Sequence, residues 1–207
     1  KSMKIEGIEH ITPDDIRFAR EFGYRIKLLG FARRRGDHID QRVQPAMVKL
    51  ATPLADVEGP FNAVVADAGE AGPFFFEGRG AGEAPTAGAV VADLVDIARG
   101  SVGAPFGRPA KSLMRNDTPT GPRSCAFYLR FEVLDVPGVL AEIARRLAES
   151  EVSIESMIQR GRAHGGQVAI VMITHECVET AVESALKAIA ASDKVLAKPC
   201  MIPMESR

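Results

Sequence analysis

From Cys125 to Ile202 the chain changes its hydrophobic period again and again, and that succession admits few folds. Cys125, Phe127, Leu129, Phe131 and Val133 alternate with Ala126, Tyr128, Arg130 and Glu132, the period of two that belongs to a strand. Asp135-Val136-Pro137-Gly138 interrupts it, with Asp135 as a candidate N-cap and proline early in the helix after it. Leu140, Ile143, Ala144 and Leu147 then keep helical spacing. Val152, Ile154 and Ile158 read as a second strand, Gly161, Gly165 and Gly166 as a hairpin loop, and Gln167 to Thr174 as a central strand. Val178, Ala181, Val182, Ala185, Leu186 and Ile189 form the clearest amphipathic helix in the chain. Val195 to Ile202 closes with a strand that Pro199 demotes to an edge or a bulge. Strand, helix, strand, strand, helix, strand over about 80 residues is the split-βαβ, ferredoxin-like order: one antiparallel four-stranded sheet with two helices on one face.

The first part reads as a mixed α+β piece with an open sheet. Ile5 to Ile11 is a candidate strand. Thr12-Pro13-Asp14-Asp15 is a helix start, with threonine at the N-cap, proline after it and acids in the first turn. Ile16, Ala19 and Phe22 carry that helix to Gly23. Arg25 to Ala32, Asp40 to Lys49 and Phe61 to Ala66 read as strands, Phe74 to Phe76 begins another, and Thr86 to Ala98 is a helix with Val90, Val91, Leu94 and Ile97 on its apolar side. Between the parts, Gly103 to Arg123 is rich in proline and glycine and poor in periodic apolar residues. The division is therefore 1–102, a linker at 103–123, and 124–207.

Composition removes several classes of function. A formal net charge of −1 lacks the basic face that nucleic acid requires, and no apolar run approaches the ~18 residues of a membrane span. The three cysteines, Cys125, Cys177 and Cys200, form no CxxC pair, and the four histidines have no ligand spacing. No metal site and no disulfide framework are expected, and the compartment is expected to be the reducing cytoplasm.

Two segments could carry a ligand. Gly78-Arg79-Gly80-Ala81-Gly82 precedes a helix start; alternate glycines let backbone amides approach a phosphate or carboxylate, or they make a tight structural turn. The segment is not GxGxxG, and no ribose-binding acid comes after it at the right spacing. In Asp135-Val136-Pro137-Gly138-Val139-Leu140, glycine at a strand-to-helix turn exposes amides that can hold the carboxylate of a small amino acid; the plainer reading is a capped turn. Asp14 and Asp15 are explained by helix capping, and Asp93 and Asp96 by a solvated helix face. Lys27, a lone charge between apolar residues, is a snorkelling strand lysine or a buried amine. No Ser/His/Asp arrangement and no P-loop occur.

Ile8-Glu9-His10-Ile11-Thr12-Pro13-Asp14-Asp15, continued by Phe18 to Leu29, resembles the homoserine dehydrogenase segment that comes after the catalytic helix of that family. Gly59-Pro60-Phe61-Asn62-Ala63-Val64 and Phe76 to Val90, with its Gly80-Ala81-Gly82 and Pro85-Thr86-Ala87, resemble two further stretches of the family. Asp135-x-Pro137-Gly138-Val139-Leu140 resembles the hallmark of an ACT domain, the amino-acid-sensing module that bacterial members often carry at this place. The resemblance implies reduction of L-aspartate 4-semialdehyde to L-homoserine with NADP or NAD as cofactor, on the route to threonine and methionine. It places Gly82 against the nicotinamide cofactor. It makes Asp135, Val136, Pro137, Gly138, Val139 and Leu140 the effector site, with L-threonine as the small amino-acid effector. It also implies a homo-oligomer, dimer or tetramer, through the sheet and ACT domains. The family's nucleotide-binding domain and its substrate-handling acid and lysine find no counterpart here, and Lys27 does not match that lysine. The expectation is therefore a C-terminal piece of a longer enzyme, with no catalytic residue of its own and no activity alone. The other reading is a non-catalytic amino-acid sensor on a degenerate dehydrogenase platform.

Overall fold

The computed structural model describes residues 3–101, 103–115, 120–160 and 166–205. In chain order its elements are β1 (Lys4–Ile5), α1 (Pro13–Glu21), β2 (Tyr24–Arg35), β3 (His38–Lys49), α2 (Pro53–Asp56), β4 (Phe61–Asp67), β5 (Pro73–Arg79), α3 (Glu83–Ala98), β6 (Ser124–Cys125), β7 (Phe127–Leu134), α4 (Val139–Glu149), β8 (Ile154–Arg160), β9 (Gln167–Thr174), β10 (Cys177–Val178), α5 (Glu179–Ile189) and β11 (Cys200–Glu205). They form two compact units, one of residues 1–50 with 117–207 and the other of residues 51–116. The first fifty residues thus share a unit with the last strands, although the sequence puts a linker between them.

The larger unit is built on a seven-stranded sheet in the order β1-β3-β11-β7-β9-β8, with β2 paired to the other side of β3. Its last four strands are antiparallel neighbours, and with α4 and α5 they make the ferredoxin-like arrangement that the sequence pattern predicts. Phe127, Leu129, Phe131 and Val133 of β7 point to the helices, where they are buried with Val139, Ile143 and Leu147 of α4 and Val182, Ala185 and Ile189 of α5. The alternate side of β7 is also covered. Tyr128 is buried with Val171, Ile173 and Ile202 against Phe18 and Ala19 of α1 and Met47 of β3. A period of two fixes which residues share a face; it leaves open whether the second face meets water.

Helix α1 begins as its sequence directs. The Asp15 amide donates to Thr12 Oγ1 at 3.3 Å, and the Thr12 amide donates to Asp15 Oδ2 at 2.8 Å, a reciprocal capping box. The long β2–β3 hairpin pairs without a break from Tyr24↔Lys49 to Arg35↔His38. Gly36 takes φ 60° at the first position of its two-residue turn, as a type II′ turn requires. On its other side β3 has two partners in tandem: β1 at Arg42 and Val43, and β11 at Met47 and Val48, both parallel. The Glu6 amide donates to the Val43 carbonyl, so Val43, Pro45 and Met47 face that side. Pro45, which has no N–H, falls in the gap between the two partners.

Several sequence expectations need correction. The final strand is not Val195 to Ile202 at an edge. It is β11, Cys200–Glu205, lying between β3 and β7; Pro199 precedes it, and Val195 makes only an isolated bridge to Val133. The strand expected at Ile5 to Ile11 is limited to Lys4–Ile5. The alternation that starts at Cys125 is split at Ala126: Ser124–Cys125 leaves the main sheet to pair with Cys177–Val178. The second ACT strand starts at Ile154 rather than Val152, which is buried just before it. Gly161, Gly165 and His164 lie outside the described residues.

The smaller unit contains α2, the β4–β5 hairpin and α3. Asn62 of the first glycine-containing stretch is directly opposite Gly78 of the second, so two stretches separate in sequence form one hairpin. Helix α3 buries none of its residues.

Candidate functional site

The turn from β7 into α4 forms one wall of a cavity of about 310 Å³. Its lining includes all six residues from Asp135 to Leu140, together with Val133, Leu134, Gln159, Val168 and Ile170. The sequence accounts for the local chemistry. Leu134 ends the strand, and its amide donates to the Lys194 carbonyl at 3.0 Å. Asp135 N–H donates to the Gly166 carbonyl at 2.8 Å, which ties the turn to the start of β9. Pro137 cannot donate, and Gly138 takes the N-cap of α4 at φ 91°, a left-handed conformation that favours glycine. A Cβ on Gly138 would meet nothing within 4 Å, so the demand for glycine here is conformational.

Helix α4 has an unfilled N-terminus. Glu142 N–H donates to the Gly138 carbonyl at 2.9 Å, and Val139 N–H makes only a long 3.5 Å contact to Val136. Among the described residues no acceptor faces the amides of Gly138, Leu140 or Ala141. Free first-turn amides and the positive end of an eleven-residue helix favour a bound carboxylate. Asp135 adds a carboxylate suited to an ammonium group. Val133, Val136, Val168 and Ile170 give the cavity apolar walls, and Gln159 of β8 adds one amide side chain. Ser153, just before β8, is not among the lining residues; its carbonyl accepts from His175 N–H at 2.9 Å. The contribution of Val133, Val168 and Ile170 depends on which residues pair across strands, Phe131↔Ile170 and Val133↔Val168, which local sequence does not state.

Gly82 lies in the other unit. It is the exposed N-cap of α3, at φ 123°. Its carbonyl accepts from the Thr86 amide at 3.2 Å and from Thr86 Oγ1 at 2.7 Å. Gly80 N–H donates to the Pro60 carbonyl at 3.1 Å, and a Cβ on Gly80 would collide with the Asn62 side-chain amide. The loop therefore exposes backbone without side chains, and among the described residues the Glu83 and Ala84 amides are free at the helix start. These features fit contact with one end of a cofactor. Asp93 and Asp96 are exposed on α3, and Lys27 is half-buried in β2 opposite Ala46.

Sequence reasoning passed over two buried ionic clusters in the larger unit. Asp15, explained as a cap, is fully buried. It accepts from Arg130 Nε at 2.7 Å, Arg130 Nη2 at 3.2 Å and the Tyr128 hydroxyl at 2.8 Å. Burial pushes its carboxyl up, but Arg130, the Thr12 amide and hydroxyl and Tyr128 together outweigh it and hold Asp15 below the usual value. The second cluster centres on Glu179 at the start of α5, which accepts from Lys4 Nζ at 2.6 Å and Arg42 Nη1 at 3.0 Å. Of the thiols, burial raises Cys125 to about 11 and Cys200 to about 12, which leaves both protonated and unreactive at neutral pH.

Residues 1–95 match the family model described as homoserine dehydrogenase, and residues 127–193 match the ACT domain model. The homoserine dehydrogenase of Neisseria gonorrhoeae is 41% identical over 209 residues, covering 98% of this chain and 48% of that protein. That of Helicobacter pylori is 39% identical over 208 residues, covering 100% and 49%. Among solved structures, a homoserine dehydrogenase from Thiobacillus denitrificans superposes with a TM-score of 0.78 at 40% identity, over 99% of this chain and 48% of that one. The chain spans about half the length of the curated relatives it matches.

Proposed function

We propose that this chain, which matches the C-terminal part of homoserine dehydrogenases in sequence and fold, ACT domain included, is the regulatory and assembly portion of an enzyme that reduces L-aspartate 4-semialdehyde to L-homoserine with NADPH or NADH. In this reading the cofactor supplies the hydride. Gly82, with the neighbouring amides of Glu83 and Ala84, offers it a close backbone surface. The residues that act on the substrate belong to the half of the relatives' length that this chain does not match. The chain alone is expected to be inactive, and the whole enzyme to be a cytoplasmic homo-oligomer.

The ACT cavity is read as a feedback site for a small amino acid, L-threonine first. One observation carries this: the cavity joins free α4 amides, for an α-carboxylate, to the Asp135 carboxylate, for an α-ammonium group, between apolar walls. Its volume of about 310 Å³ is at the small end of ligand pockets, which run from about 300 to 1,000 Å³. A methyl group would rest on Val133, Val168 or Ile170, and a hydroxyl would find Gln159.

Isothermal titration with L-threonine, with L-isoleucine and L-lysine as controls and with the mass of the species measured alongside, tests the reading. Saturable threonine binding is expected. Gly138→Glu should abolish it, because that position needs φ 91° and the new carboxylate would compete for the helix N-terminus. Absence of binding by all three amino acids sinks the feedback reading and leaves the module a role in assembly alone.

A further inference from the structure

We infer that the buried Asp15–Arg130 ion pair couples the ACT cavity to helix α1, with Arg130 as the positioning residue; this rests on the reading of that cavity as an amino-acid site. The observation is a continuous polar path. At the cavity, Asp135 N–H donates to the Gly166 carbonyl, and the next residue, Gln167, is in register with Leu134. Gln167 Nε2 donates to Glu132 Oε2 at 2.6 Å, and the other Glu132 oxygen accepts from Arg130 Nη1. Arg130 then holds both oxygens of Asp15, and Asp15 Oδ2 accepts from the Thr12 amide at the N-cap of α1. No residue of α1 lines the cavity.

Parity along β7 sets the mechanics. Val133 enters the cavity from the helix-covered side of the sheet. Arg130, three residues earlier, lies on the opposite side, which α1 covers. Strand β7 is held on one edge by β9 from Tyr128 to Leu134 and on the other by β11 from Phe127 to Arg130, with the Leu134 amide bonded to Lys194 and the Glu132 carbonyl to Leu196 beyond it. A shift of its end on ligand binding is therefore transmitted along the strand rather than absorbed by fraying. A two-pronged guanidinium–carboxylate pair tolerates little displacement. With Asp15 fully buried and Arg130 at 7% exposure, weak solvent screening makes the pair sensitive to small changes in distance. Effector and α1 are then linked reciprocally, each favouring the arrangement the other favours.

The test is hydrogen exchange measured by mass spectrometry on this chain, with and without saturating L-threonine. The α1 amides, residues 14–21, should slow by about fivefold or more on binding. The paired variant Asp15→Asn with Arg130→Met removes both buried charges without touching the cavity lining. It should bind threonine as the parent does and lose the α1 response. Gln167→Ala, a change at an exposed residue that breaks the path nearer the cavity, should weaken that response with less risk to folding. A purely structural ion pair would change the exchange of α1 equally with and without ligand. Threonine binding that leaves α1 exchange unchanged in the parent chain overturns the coupling, as does a full response in the paired variant. No binding by any amino acid overturns the effector reading, and the coupling with it.

Discussion

The Glu179 side chain is 5% exposed and accepts hydrogen bonds from Lys4, Arg42 and the amide of Arg123. Arg42, itself buried, also reaches Asp40 and the Gly121 carbonyl, so one carboxylate joins β1, β3, α5 and the approach to β6. Burial pushes Glu179 up, yet Lys4 and Arg42 hold it below its ordinary value. A group lowered in the folded state binds fewer protons there than in the unfolded chain. Its contribution is present at neutral pH and is lost as pH falls below about 4. Glu179→Gln should therefore cost about 3–5 kcal/mol at pH 7, because it leaves buried cations uncompensated. The cost should narrow toward pH 3, because the unfolded parent chain takes up a proton on Glu179 before the folded chain does. Urea unfolding of both proteins at pH 7, 5 and 3 measures the gap; a gap constant across that range would show that the carboxylate is not held charged. From sequence alone, Glu179 is simply an acid in the first turn of an amphipathic helix. Its partners are more than 50 residues away, so no local signal separates it from a solvated neighbour.

At the scale of elements, β11 separates what the sequence states from what it leaves out. Its outer neighbour, β3, comes from residues 38–49, and its inner neighbour, β7, from 127–134. Joined to β7 over Cys200–Pro203 and to β3 over Met204–Glu205, it should exchange near the rate of global unfolding, whereas β2, which among the described residues pairs as a strand only with β3, should exchange faster. Hydrogen exchange resolved to peptides checks this: fast exchange over 200–205 would return the strand to the edge position that Pro199 implies. Elements set by contiguous signals were legible, such as α1 from Thr12, Pro13 and Asp15, or α5 from its apolar spacing. The cavity wall from Asp135 to Leu140 was legible for the same reason, being one unbroken turn. The extension of the four-stranded sheet to seven strands was not, nor was the burial of the Tyr128 side of β7. Each depends on a segment roughly a hundred residues away that covers a face whose own pattern is satisfied by water or by protein.

At the scale of the whole molecule, the smaller unit carries apolar surface without cover. Val90, Val91, Leu94 and Ile97 are all exposed on α3, Ile97 at 67%. In the β4–β5 hairpin, Val64 and Phe76 are cross-strand partners on one face and Val65 and Phe75 on the other, and all four are exposed. Two strands with apolar residues on both faces do not hold together well by themselves in water. Contiguous exposed patches of this kind mark association surfaces, which supports the homo-oligomer of the proposed function. The chain should accordingly run above monomer mass in sedimentation, with the associated fraction rising with concentration. Leu94→Glu with Ile97→Glu places two charges on α3 without disturbing any buried side chain. It should return the chain toward monomer, leaving the ACT cavity and its threonine affinity unchanged, because those depend on residues of the other unit. Association that persists undiminished in that variant would remove α3 from the contact surface. If Phe76→Glu in the hairpin then abolished association, the sheet alone would be the assembly element.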